Sequence, residues 1–157
     1  MLWIRTLAVA LIAAVAVSAE NKKPDDKKPA DFDAKALLGK WTVSEGMKAG
    51  EKSDVTTIKD PADFTADKIT LKTPDATFVF KYSVDPKMSP VAVEFEILEP
   101  EGFKGAMSKG IIMVDGEKMM LAYNPTPEGA RPKDFKSTKD NGSHVFTFAK
   151  TKKKDDK

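Results

Sequence analysis

Two stretches of near-strict alternation constrain this chain more than any other feature. In residues 77–85, Phe78, Phe80, Tyr82 and Val84 alternate with Thr77, Lys81, Ser83 and Asp85, and only Val79 breaks the pattern. In residues 91–97, Val91, Val93, Phe95 and Ile97 alternate with Ala92, Glu94 and Glu96. Side chains along a strand point to opposite faces in turn, so each run carries one apolar and one polar face. That is the half-buried strand of an antiparallel sheet. Shorter versions occur elsewhere: Trp41 and Val43 beside Lys40, Thr42 and Ser44; Ile69 and Leu71 beside Lys68, Thr70 and Lys72; Phe146 and Phe148 within residues 143–150.

The punctuation between these runs belongs to hairpins. Asp115-Gly116 separates two apolar stretches, and an Asp-Gly pair tolerates positive φ at both turn positions, so a two-residue hairpin is expected there. Thr73-Pro74-Asp75-Ala76 and Asp140-Asn141-Gly142 are further turn clusters. Asp85-Pro86 ends one alternating run and Ser89-Pro90 precedes the next, which reads as a corner between strands, since proline cannot donate to a ladder. Helix is scarce. Only residues 33–38, with an acidic start and Gly39 as a stop, look helical. No strand–helix–strand alternation appears, so a parallel sheet is not expected. About eight short strands at hairpin spacing predict an all-β fold: an antiparallel up-and-down barrel with a short N-terminal helix.

The ends of the chain differ from its middle. Arg5, the apolar run of residues 7–17 and the small residues Val17-Ser18-Ala19 follow the order of a secretory signal peptide, with cleavage expected after Ala19. The run is short of the roughly 20 apolar residues that span a bilayer, so no membrane span is expected once the signal is removed. Residues 20–31 are charged, contain prolines and lack large apolar side chains, which predicts a disordered linker. Residues 151–157 form a similar charged tail. The barrel is assigned to residues 32–150, long enough for a modest core. Export to the periplasm or outside the cell follows from the signal. There is no cysteine, so neither disulfides nor thiolate metal sites are available. With 26 basic and 24 acidic residues the formal charge is +2, a balance that gives no reason to expect nucleic acid as partner.

Taken in order, several motifs resemble an uncharacterised lipocalin-like domain family of planctomycete-type exported proteins. They are "LLGKWTV" (residues 37–43), a glycine-centred turn at Gly50, "FTADKITL" (64–71), "YSVDPKMSP" (82–90), "GIIMVDGEKMMLAY" (110–123) and "RPKDF" (131–135). The chain departs from the family pattern at Ile112, Glu117 and Val91, where the family often has tyrosine, aspartate and lysine. The resemblance implies a lipocalin-like barrel, with Trp41 packed across its closed end. It implies no activity.

Catalytic chemistry finds little to work with. The single histidine, His144, neighbours Ser143, but adjacent strand residues point to opposite faces and cannot form a nucleophile–base pair. No phosphate loop or metalloprotease motif occurs, and no catalytic residue, metal ligand or cofactor is assigned. Asn141-Gly142-Ser143 has the form of a glycosylation sequon and reports an exposed turn. Arg131 lies in a long loop, residues 124–139, with Pro125, Pro127, Gly129 and Pro132. It is either a guanidinium at the barrel mouth, gripping a carboxylate or phosphate, or a clamp that ties the loop to backbone carbonyls or an acid. Met107, Met113, Met119 and Met120 lie on two neighbouring strands, where thioethers either accept varied apolar ligands or fill a core.

These features predict an exported, non-enzymatic binding module. Its barrel interior or mouth would hold a small apolar or amphipathic ligand, with Arg131, Tyr82, Phe80, Phe95, Met119 and Tyr123 as the candidate ligand-binding residues and Phe78 as a further wall residue. The alternative is a protein–protein interaction or scaffold domain with a filled core and no small-molecule ligand.

Overall fold

The computed structural model of the protein describes residues 32–152. The segments read as signal peptide (1–19) and linker (20–31), and most of the charged tail, lie outside the described residues. Nine antiparallel strands follow one another: β1 (Gly39–Lys48), β2 (Glu51–Lys52), β3 (Ala62–Phe64), β4 (Lys68–Lys72), β5 (Thr77–Asp85), β6 (Val91–Glu99), β7 (Met107–Asp115), β8 (Lys118–Asn124) and β9 (His144–Lys150). Eight of them form a ring in the order β1-β3-β4-β5-β6-β7-β8-β9, which β1 and β9 close by pairing from Trp41↔Lys150 to Lys48↔His144. The two-residue β2 extends the far end of β1 through Met47↔Lys52 and Lys48↔Glu51. The fold is a closed up-and-down barrel, as the alternation predicts, and is consistent with the lipocalin-like form that the resemblance implies. Its helical content is two 3-10 turns, Ala34–Leu37 and Glu101–Phe103. Asp33 caps the first by accepting a hydrogen bond from the Lys35 amide at 2.9 Å.

The alternating residues do what their period requires. Trp41, Val43, Phe64, Ile69, Tyr82 and Val93 are buried inside the ring, joined by Phe95, Ile112, Met119, Leu121 and Phe148. Bulges between Val43 and Glu45 on β1, and between Val79 and Phe80 on β5, add curvature where the sheet must bend into a barrel. The off-pattern Val79 is at the second of these. A separate apolar cluster lies on the outside of the wall: Ile111, Ala122 and Val145 pack with Met47, Met120 and Phe135. Phe135 belongs to the long connection between β8 and β9, which is laid over this outer face.

The 85–90 segment is a corner. The Asp85 carboxylate accepts from the Lys87 amide at 3.0 Å, and Met88 is exposed at the tip. The β7–β8 hairpin is displaced by one residue from its expected position: Asp115 pairs with Lys118, so the loop is Gly116-Glu117, and Gly116 alone takes a left-handed φ, 58°. A glycine first in a two-residue loop suits the twist of the strands as well as Asp-Gly does.

One turn uses a residue poorly suited to it. Ala49, between β1 and β2, has φ 48°, followed by Gly50 at φ 82°. Asn-Gly is the pair such a turn prefers, and a Cβ in the left-handed region costs about 1–2 kcal/mol, which asparagine offsets by local hydrogen bonding. Ala49→Asn is expected to raise stability by about 1 kcal/mol, seen as a higher urea midpoint with an unchanged m-value. A lowered midpoint would contradict this account of the turn.

Candidate functional site

The strand directions give the barrel two unlike ends. At one, Trp41 is fully buried and its indole N–H donates to the Leu37 carbonyl at 2.7 Å. Lys150 lies over the same indole, 4.4 Å from the ring centroid, and donates to the carbonyls of Leu38 at 2.8 Å and Ala36 at 3.3 Å. A cation held between an aromatic face and two carbonyls seals this end. The Gly39-Lys40-Trp41 sequence thus forms part of this sealed end.

The other end receives the connections 49–61, 73–76, 100–106 and 125–143. Just inside it is a cavity of about 90 Å³. Val43, Phe64, Ile69, Leu121 and Phe148 form its deep wall, with Ala62 beside them. Leu71, Phe80, Phe95 and Phe146 surround the upper part, and Ile58, from the segment that returns to β3, closes over one side. Two residues of the lining carry hydroxyls, Ser108 and Tyr123. Neither hydroxyl has a hydrogen-bond partner among the described residues. The sole buried side-chain nitrogen or oxygen left unpartnered there is Nδ1 of His144, so both hydroxyls keep accessible surface.

A run of aromatic contacts leads from the rim into this cavity. Phe103, 57% exposed on the 3-10 turn, touches Phe78 at 6.1 Å between centroids, and Phe78 stacks on Phe80 at 6.0 Å. Phe80 meets Phe95 edge-on at 6.4 Å, and Phe95 meets Tyr123 at 6.1 Å. Tyr123 then stacks on Phe146 at 6.2 Å and meets His144 edge-on at 5.4 Å. These apolar surroundings push the Tyr123 phenol up to about 12. It is therefore a neutral group at every physiological pH, able both to donate and to accept.

Of the candidate ligand-binding residues, Phe80, Phe95 and Tyr123 line the cavity. Three do not. Tyr82 is pinned into the wall, its hydroxyl donating to the Thr65 carbonyl at 2.7 Å, and burial, with the nearby Asp67 charge, raises its pKa. Met119 is fully buried in the core rather than in the lining. Arg131 serves as the clamp. One guanidinium nitrogen donates to the carbonyls of Val93 at 2.9 Å and Gly110 at 2.7 Å, and another to the Glu94 carboxylate at 2.9 Å. Val93 and Gly110 face each other across β6 and β7, so Arg131 fastens the β8–β9 connection to that part of the wall. Phe78 also stands outside the lining, at the rim. The methionines separate: Met119 is core, Met120 joins the outer cluster, and Met107 and Met113 are exposed. Sequence reasoning passed over Ser108, because a serine among charged and small residues carries no signal until the strand register turns it inward.

Asn141 is occupied by its own turn. Its Oδ1 accepts from the amides of Thr138 at 3.0 Å and Ser143 at 2.9 Å, while its Nδ2 donates to the Lys136 carbonyl at 3.0 Å. Among the described residues no group of three or more His, Asp or Glu converges on a possible metal position, and no helix is long and apolar enough to cross a membrane.

Fold and cavity together define the class: a small closed β-barrel with an apolar interior pocket. Comparisons with protein-family models, with curated proteins and with solved structures find no match.

Two outcomes follow from this geometry. Arg131→Ala strips the two carbonyls of a shared donor and is expected to cost about 1–3 kcal/mol, with faster amide exchange confined to residues 124–143. Unchanged exchange in that loop would refute the clamp. The second concerns His144, whose pKa is lowered by burial and by the charge of Lys48, its register partner on β1. Below about pH 6.5 the unfolded chain takes up a proton that the folded chain resists, so stability falls as pH drops through that window. His144→Gln is expected to flatten the difference in urea midpoint between about pH 7.5 and pH 5.5. An identical pH slope in the variant would show that His144 is not responsible.

Proposed function

We propose that the protein is an exported, non-enzymatic binding module whose barrel holds a small apolar or amphipathic ligand. The observation that carries this reading is the cavity: apolar nearly throughout, next to the end where the long connections gather, and furnished with two hydroxyls that the protein itself leaves unpaired. Binding sites commonly combine such an apolar wall with a few polar groups that orient the ligand. Because both hydroxyls keep accessible surface and bond to no other described residue, they are free to bond a ligand's polar group. The signal-like order of residues 1–19 supports export to the periplasm or beyond, and the motifs from residue 37 to residue 135 support membership of the lipocalin-like family they resemble.

The size of the cavity favours a second reading. At about 90 Å³ it falls well below the roughly 300–1,000 Å³ of sites for drug-sized molecules. Most of the barrel interior is occupied by side chains, as in a scaffold or protein-interaction domain. Phe103 and Met107, both exposed, would then serve a protein partner.

Native mass spectrometry on protein from its own host tests the two readings. The wild type is expected to carry a small-molecule adduct, and Leu121→Phe, which extends a ring into the cavity, is expected to lose it. Repeated recovery of the bare chain from both proteins would overturn the ligand reading, and a stoichiometric protein partner in its place would support the second.

A further inference from the structure

The chemistry of the cavity lining narrows the ligand class, an inference that rests on the binding reading above. No charged side chain lines the cavity. A buried carboxylate or ammonium left without a counter-ion is strongly disfavoured, so an ionised ligand has nothing to meet it there. The polar groups available are the hydroxyls of Ser108 and Tyr123. They belong to neighbouring strands: Tyr123 on β8 stands opposite Gly110 on β7, and Ser108 is two residues along β7 on the same face. Gly110 between them contributes no side chain. Phe95, opposite Ser108 on β6, presents its ring to Tyr123 from the other side. The tyrosine remains protonated, so both hydroxyls can donate and accept.

We propose that the cavity selects a small neutral ligand, an aromatic ring or short branched chain bearing one hydroxyl or carbonyl group, with that group bonded to Ser108 and Tyr123. A cavity of about 90 Å³ is smaller than the roughly 150 Å³ apolar cavity that takes up benzene in an engineered protein, which limits the ligand to one small ring or a short branched chain. In a purely apolar hole the hydroxyl of phenol is a penalty, because it leaves water without replacement. With two hydroxyls waiting, the penalty is removed.

The test is an amide-resolved NMR titration of the full chain with benzene, phenol and benzoate, repeated on the Ser108→Ala/Tyr123→Phe double variant. In the wild type, phenol is expected to bind at least as tightly as benzene, with shifts at Ser108, Leu121 and Tyr123, and benzoate is expected not to bind. In the double variant benzene binding persists, which reports an intact cavity, while phenol falls about tenfold behind benzene. Phenol about tenfold weaker than benzene in the wild type, an unchanged phenol-to-benzene ratio in the variant, or benzoate binding as well as phenol would each overturn the neutral-ligand inference and leave the binding reading standing. Absence of saturable binding by all three compounds would overturn both.

Discussion

The barrel depends on β1 keeping two neighbours along its length. One edge of this strand pairs with β9 throughout, and the other pairs with β3 near its start and β2 near its end. If the β1–β9 seam opened, the ring would become an open sheet with two unpaired edges, a form prone to pairing with other chains. Closure requires β1 to bend. The Val43–Glu45 bulge supplies the bend, and Gly46 follows it at a close approach. A Cβ there would lie 2.8 Å from the Phe146 ring and 2.9 Å from Val55, so no other residue fits without moving the strand or its cover. The seam thus links local backbone shape to the position of Phe146, a cavity wall.

Much of this was legible in the sequence because a sheet with one buried face writes its register into every second residue. Phe78, Phe80, Tyr82 and Val84 could take one orientation only, and the structure has it. The features that were not legible share a cause: they are set by contacts distant in sequence. Residues 33–38 look helical locally, yet form a single 3-10 turn, because Leu37 must reach inward and present its carbonyl to Trp41. The apolar outward faces of Ile111, Ala122 and Val145 break the rule of polar outside, and the covering Phe135, with Met47 and Met120, explains them. Ser108 is the same case reversed, a polar side chain on an inner face.

Arg131 shows how a loop residue suited to ligand recognition becomes structural. Its planar fork carries several donors, and the two strand carbonyls and the Glu94 carboxylate engage two of its nitrogens. Asn124 to Ser143 would otherwise be a long unsupported connection. Arg131, Phe135 and Ser137 divide the work of fixing it. Ser137 accepts from the Gly50 amide at 2.9 Å and donates to the Ser143 carbonyl at 2.6 Å, which ties the loop to the β1–β2 turn. With its guanidinium engaged in this way, the clamp contributes no cation to the cavity lining.

That division of labour gives the molecule its polarity. Trp41, Leu37 and Lys150 concentrate packing, hydrogen bonding and a cation–π contact at one end, so the fold does not need the same density at the other. The space beneath the long connections is left unfilled, and the two hydroxyls there bond to no other described residue. The Ser108 and Tyr123 hydroxyls at the end where the long connections gather, with Arg131 held in its clamp, leave a cavity lined by no charged side chain.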